Sequence, residues 1–322
     1  MQSLLRLFRA EPVLVDVGAS AGPPDIWEPL APVATYVGFD PDSREMSDSP
    51  TGGFRRSLIV SEAVTSDPAA AEVRFFLTRS PYCSSTLEPD LASLSNYDFS
   101  DLFVTERQAT VRAATLDATL ARLGLDRIDW LKCDTQGTDL RIFESLGDGV
   151  RRGVLALDIE PGLLDAYRGE DLFVDAQKHL TANGFWLSRL DVNGAVRVRG
   201  ATLRSVFAGQ ADPAAFAGRR IRKSPGWCEA RYLRTLESLG EAGAAPERYA
   251  LLFIFSLLDR QPGYALDVAL EYERRFGADA WSARMRAEAA SRIVHARRHA
   301  AAARVKGWAR RIARLLRAPE AP

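Results

Sequence analysis

The stretch Val13-Leu-Val-Asp-Val-Gly-Ala-Ser-Ala-Gly22 decides the fold. Four apolar residues around one acid predict a buried strand that runs into a Gly-x-x-x-Gly turn at Gly18 and Gly22. Glycine lets the backbone approach a ligand closely, and open α/β sheets bind ligands at the carboxyl ends of their strands. Outward from this point, Tyr36-Val-Gly-Phe39, Leu58-Ile-Val60, Ile128-Asp-Trp-Leu-Lys132 and Val154-Leu-Ala-Leu-Asp-Ile159 are further short apolar runs. Such strands separated by helices predict a parallel sheet covered on both faces. Helical periodicity marks residues 116–125, 140–146 and 172–180, the last stopping at Asn183-Gly184. Residues 185–190 and 201–207, with Asn193-Gly194 between them, predict an antiparallel hairpin closing the sheet edge. The expected architecture is a doubly wound α/β sheet.

The 322 residues are 47% hydrophobic and carry 42 basic and 42 acidic side chains, which excludes a disordered chain. At roughly 150 residues per domain, the length predicts two domains. The boundary is expected at 212/213, because residues 213–322 are rich in Ala, Arg, Leu and Glu and lack a convincing strand. Helices are expected there at about 228–239, 246–259, 263–276 and 279–317, broken by Pro246, Pro262 and Gly277. Cys83, Cys133 and Cys228 are odd in number and far apart, so neither a disulfide framework nor a zinc site is expected. No apolar run reaches the roughly 18 residues of a membrane span, and the first twelve residues are too soon charged for a signal peptide. A soluble, cytoplasmic protein is the expectation.

Charge is not evenly spread. Residues 284–317 hold eleven basic side chains against the single acid Glu288, which leaves the rest of the chain acidic. A solvated helix face is the plain explanation. Trp308, Ile312, Leu315 and Leu316 nevertheless recur at helical spacing among Lys306, Arg310, Arg311, Arg314 and Arg317. That composition suits peripheral contact with an anionic membrane. Sparse aromatic interleaving argues against nucleic acid.

Chemistry concentrates at the predicted strand ends. Asp16 precedes the glycine turn, and Asp40 ends the second strand, placed to accept hydrogen bonds from two ribose hydroxyls. The spacing is not the GxGxxG dinucleotide fingerprint. A carboxylate beside the turn would repel a pyrophosphate but attract a cation. S-adenosylmethionine carries an ammonium, a sulfonium and a ribose but no phosphate, and it is the favoured cofactor. Asp16, Gly18, Ala19, Ser20, Gly22 and Asp40 are expected to hold it, with Glu62 and Ala63 near the adenine. The fourth and fifth strands bring Asp134, Asp158 and Glu160 to the same rim. Methyl transfer asks for an aligned acceptor oxygen and a group to take its proton. Asp134 is the leading base, with Asp158 and Glu160 behind it, while Lys132 would orient the acceptor or lower its pKa. A strand-end ion pair is the alternative for Lys132 and Asp134.

These residues carry a resemblance. Val15-Asp-Val-Gly-Ala19, Gly38-Phe-Asp-Pro-Asp42, Ser84-Ser-Thr-Leu87, Thr115-Leu-Asp117 and Leu131-Lys-Cys-Asp-Thr-Gln-Gly137 together resemble the FkbM family of S-adenosylmethionine-dependent methyltransferases, over roughly residues 12–207. The resemblance implies a class I methyltransferase (Rossmann-like) fold, no required metal, and O-methylation of a hydroxyl on a sugar or secondary metabolite. Residues 1–212 would be the methyltransferase domain and 213–322 an all-helical domain. One departure stands out. Gln136 occupies a position where the family usually has Glu, and the acid two residues after the glycine is Asp139. Gln136 can hydrogen-bond an acceptor but cannot act as a base. A methyltransferase-like scaffold without turnover is therefore the other class left open, and a nucleotide-sugar enzyme is a third. His179, the pair His295 and His299, Cys133, Ser84 and Ser85 are expected to be structural or to shape loops rather than to react.

Overall fold

The central strands form where an apolar run can be buried on both faces. Val13–Val17 is β1, with every residue buried, and Thr35–Phe39 is β2. Arg56–Val60 is β3, followed by the short β4 (Ala63–Val64), β5 (Glu72–Thr78) and β6 (Thr105–Ala114). Trp130–Cys133, Ala156–Ile159, Phe185–Ala195 and Ser224–Arg234 are β7 to β10. The computed structural model describes residues 5, 10–19, 22–41 and 53–295. The chain divides into two compact units, Met1–Leu251 and Leu252–Pro322.

The first unit holds a seven-stranded sheet of order β3-β2-β1-β7-β8-β10-β9. Its neighbours are parallel except β10, which runs antiparallel to both β8 and β9. The chain moves outward from β1 in both directions, so β1 and β7 flank the switch point at which open α/β sheets form a ligand crevice. This mainly parallel sheet with its helices is consistent with a Rossmann-like methyltransferase fold. Valines of β1, Leu131, Leu157, Phe143 and Phe185 pack one face into the main core. A second, three-stranded sheet of order β4-β6-β5 stands beside it and was not foreseen.

The expected edge hairpin is corrected. Phe185–Ala195 pairs not with residues 201–207, which form helix Gly200–Val206, but with β10. The all-helical character expected of residues 213–322 fails for the same reason, since β10 lies inside that span. Its sequence reads as helical because it carries two arginines. Both charges are buried and answered: Arg231 donates to Asp158, and Arg234 donates to the carbonyls of Val154, Asn183 and Arg151. The division between units also falls at 251/252 rather than at 212/213. It cuts helix Pro246–Leu258, whose residues 251–255 are all buried.

The second unit is helical where described. Helix Pro262–Phe276 buries Ala265, Val268, Ala269 and Tyr272 at helical spacing, and residues 280–295 continue as helix. The basic stretch beyond residue 295, with His299 and Trp308, lies outside the described residues. Among the described residues no helix is long and apolar enough to cross a membrane.

Candidate functional site

Two rows of side chains run across the sheet at its carboxyl edge. Register aligns Asp16 with Lys132, Lys132 with Asp158, and Asp158 with Arg231. Side chains alternate along a strand, so these four lie on one face with alternating charge. Lys132 Nζ donates to Asp16 Oδ1 at 2.9 Å, and Tyr36 Oη donates to Asp16 Oδ2 at 3.2 Å. Arg231 donates to both Asp158 oxygens at 2.6 and 3.1 Å, and Trp130 Nε1 donates to Asp158 Oδ2 at 3.1 Å. Burial pushes the Asp16 carboxyl up to about 6, with Lys132 and Tyr36 pulling it back. Burial opposes the Lys132 charge, yet Asp16, Asp134 and Asp158 hold its pKa above the ordinary lysine value.

This ladder sets three of the expected site residues apart from the larger cavity at the rim. Asp16 is fully buried and does not line that cavity. Lys132 and Asp158 do not line it either, because each is held by a partner in its own row. They line an adjoining cavity of about 390 Å³ that shares Asp134, Glu160 and Glu229 with the larger one.

Two residues further on, the same face carries Gly18, Asp134 and Glu160, and Glu229 is two residues back on the antiparallel β10. All four line a cavity of about 610 Å³. Gly18 has φ +86°, and a Cβ there would lie 2.1 Å from the Asp134 carbonyl oxygen, so only glycine fits. Asp40, Glu62 and Ala63 line the same cavity. The Glu62 carboxylate pairs with Arg122 at 2.5 Å. Ala19 and Gly22 do not line it: the amides of Gly18 and Ala19 donate to the Phe39 carbonyl, and the Gly22 amide donates to Ala19. Ser20 lies outside the described residues.

Asp134 is held from three sides, one of them Lys132 Nζ at 4.0 Å from Oδ2. Gln136 Nε2 donates to Asp134 Oδ1 at 2.8 Å, and Glu160 shares a side-chain hydrogen bond with Asp134. Burial, then the Asp134 charge, pushes the Glu160 carboxyl up to about 9, so at neutral pH the two carboxyls hold one proton between them in that bond. Asp139 fixes the frame behind them, accepting from the Thr135 amide at 2.9 Å and the Glu160 amide at 2.8 Å. Burial raises its pKa to about 6. The Ser84–Leu87 motif braces the same loop, for Ser85 Oγ donates to the Gln136 carbonyl at 2.8 Å. Thr115 caps helix Leu116–Leu123, and Asp117 accepts from the Gly147 amide, so that motif is structural.

Sequence reasoning missed Tyr167, Glu170, Phe99, Trp227 and Glu229. Each lines the cavity from a loop or from the unforeseen β10. Phe99 and Trp227 stack with ring centroids 6.0 Å apart and planes 13° apart, and Phe103 meets Phe99 edge-on. Burial raises Glu170 to about 7. The described lining thus holds six acids (Asp40, Glu62, Asp134, Glu160, Glu170 and Glu229) and no Lys, Arg or His. Among the described residues no group of three His, Cys, Asp or Glu could hold a metal ion.

This arrangement accompanies a sequence match. Residues 55–187 match the Methyltransferase FkbM domain. The match supports a methyltransferase and, with it, a methyl donor. The FkbM domain match runs from the approach to β3 into the start of β9, and it contains the Ser84–Leu87, Thr115–Asp117 and Leu131–Gly137 motifs. The first two motifs, on β1 and β2, precede it in the chain but stand beside it in the sheet. No curated protein and no solved structure matches the chain.

Proposed function

We propose that the protein is an S-adenosylmethionine-dependent O-methyltransferase acting on a hydroxyl of a sugar or similar polyhydroxylated acceptor without an anionic group. The observation that carries this is an acid-rich lining: six carboxyls and no cation among the described residues of a cavity at the sheet's switch point, with Glu160 sharing a proton with Asp134 and Glu62 paired to Arg122 behind it. Such a lining favours a cationic donor and opposes phosphate. The amides of Gly18 and Ala19, which a pyrophosphate would need, already donate to Phe39. A nucleotide-sugar enzyme is correspondingly disfavoured.

The residues present fit the donor. Asp40 would accept from the ribose hydroxyls, and Glu62 and Ala63 would flank the adenine end. Gly18 and Asp134, packed backbone to backbone, would border the aminoacyl end. The donor, when bound, supplies an electrophilic methyl group on a sulfonium. The stacked Phe99 and Trp227 offer a flat apolar face on which a sugar ring can lie, which orients its hydroxyl. Asp134 takes the hydroxyl proton, while Gln136 and Glu160 fix the carboxylate's direction. Replacing the family's usual Glu by Gln136 therefore leaves a base at the rim. A positioned base of this kind accounts for on the order of 10²–10⁴ in rate.

The test is release of S-adenosylhomocysteine when the protein meets S-adenosylmethionine and a panel of neutral and amino sugars, with the acceptor's mass checked for one added methylene. Turnover by the wild type that falls at least a hundredfold in Asp134→Asn, with donor binding retained, is expected. Donor binding without turnover on any acceptor would move the scaffold alternative to first place.

A further inference from the structure

Tyr167 sits in the loop between β8 and helix Phe173–Ala182, and it is buried. Its single phenolic proton has two acceptors within reach, the Cys83 carbonyl at 2.8 Å and Gln136 Oε1 at 3.0 Å. One of the two is always left without it. Gln136 in turn reaches Asp134 Oδ1 through Nε2 at 2.8 Å. Its backbone is pinned, with φ at +59° and its carbonyl held by Ser85 Oγ, so the freedom left to the residue is rotation of the terminal amide. That torsion is broad and nearly two-fold, and the amide's oxygen and nitrogen ends are close in size.

With Asp134 ionised, the chain of donors runs inward: Tyr167 donates to Gln136 Oε1, and Gln136 Nε2 donates to a carboxylate that only accepts. With Asp134 protonated, its hydroxyl would face an amide NH₂ that is also a donor. A half-turn of the Gln136 amide resolves the conflict. Oε1 then accepts from Asp134, Nε2 donates to the Tyr167 oxygen, and Tyr167 gives its proton to Cys83. We propose that Tyr167 and Gln136 form a proton-coupled switch whose hydrogen bonds reverse direction when Asp134 takes up a proton, with Tyr167 as the positioning residue.

The proposal rests on Asp134 as the group that receives the acceptor's proton, and it gives Gln136 a use that Glu could not serve. The proton leaving the acceptor oxygen ends on Asp134, and the O–H electron pair stays on the oxygen for the new O–CH₃ bond. The turned amide then stabilises the neutral Asp134 carboxyl. A glutamate at 136 would instead set a second carboxylate against Asp134, and one of the two would have to carry a proton from the start. Asp16, Lys132, Asp139 and Glu160 also face Asp134, and Cys83 and Glu170 face Tyr167. None of them can take the amide's place, because none touches both Tyr167 and Asp134 by a hydrogen bond.

The experiment needs no substrate, so its failure is separate from failure of the methyltransferase assignment. The side-chain amide of Gln136 and the carboxyl carbon of Asp134 are followed by NMR as ligand-free protein is titrated with acid. In wild type both are expected to move in one shared step. In Tyr167→Phe the protonated state loses two of its hydrogen bonds and the ionised state only one. The step is therefore expected to fall by about 0.5–1 pH unit, the worth of one net hydrogen bond. Gln136 signals that do not follow the Asp134 carboxyl in wild type would overturn the switch, whether or not the variant folds. A step left in place in folded Tyr167→Phe would overturn the role of Tyr167.

Discussion

Lys132 Nζ and Asp16 Oδ1 stand 2.9 Å apart across β1 and β7, one row below the residues that line the larger cavity. The pair explains how the sheet holds two of the residues that the sequence places among the site candidates. Asp16 is fully buried, and without Lys132 its charge has only Tyr36 as a partner. Lys132→Met is expected to destabilise the protein by about 3 kcal/mol, as removal of one partner from a buried pair does. Adding Asp16→Asn removes the stranded charge, so the double variant should be more stable than Lys132→Met alone. Urea denaturation of the wild type, both single variants and the double variant measures this. A double variant as unstable as the sum of the two single ones would show that the pair is not coupled.

Stability should fall as pH rises from about 4 to 9. Asp16 and Asp139 are raised to about 6, Glu170 to about 7 and Glu160 to about 9, all chiefly by burial. Above pH 4 the unfolded chain has lost protons that the folded one still holds, and the unfolding free energy then drops with pH. The favourable contribution of each group is complete below its unfolded value and lost as pH passes through its folded value. Denaturation midpoints at pH 5 and pH 9 test the sign. Glu160→Gln should flatten the slope most between pH 8 and 9, where the other three have given up their protons and Glu160 has not.

Trp227→Ala should act on acceptor binding. Loss of one face of the Phe99–Trp227 stack is expected to raise KM for a sugar acceptor about tenfold with little change in kcat. Steady-state kinetics at saturating donor separates the two. An equal fall in kcat with unchanged KM would place Trp227 in the chemical step instead.

Much of the sheet is legible in the sequence because β1, β2, β7 and β8 are buried on both faces and their apolar runs have no other use. The place of Asp134 and Glu160 on the cavity wall is legible in the same way, just beyond such runs. What stayed hidden depends on register. Nothing local says that Asp16, Lys132, Asp158 and Arg231 share one row, so three of them resembled site residues. Strand β10 was hidden by Arg231 and Arg234, whose charges read as surface until Asp158 and three backbone carbonyls are seen to receive them. With β10 missed, Trp227 and Glu229 were missed too. Tyr167 and Glu170 come from an irregular loop that has no periodicity to read.

The acidic cavity as a seat for a cationic methyl donor is tested most directly by calorimetric titration with S-adenosylmethionine and S-adenosylhomocysteine, with NAD and a nucleoside diphosphate sugar alongside. Binding on the order of micromolar is expected for the first two. Asp40→Ala should weaken both by about tenfold or more, the worth of a charged hydrogen bond to ribose, and the phosphate-bearing ligands should give no heat. Folded protein that binds neither adenosyl compound, or that binds the nucleoside diphosphate sugar instead, would contradict it.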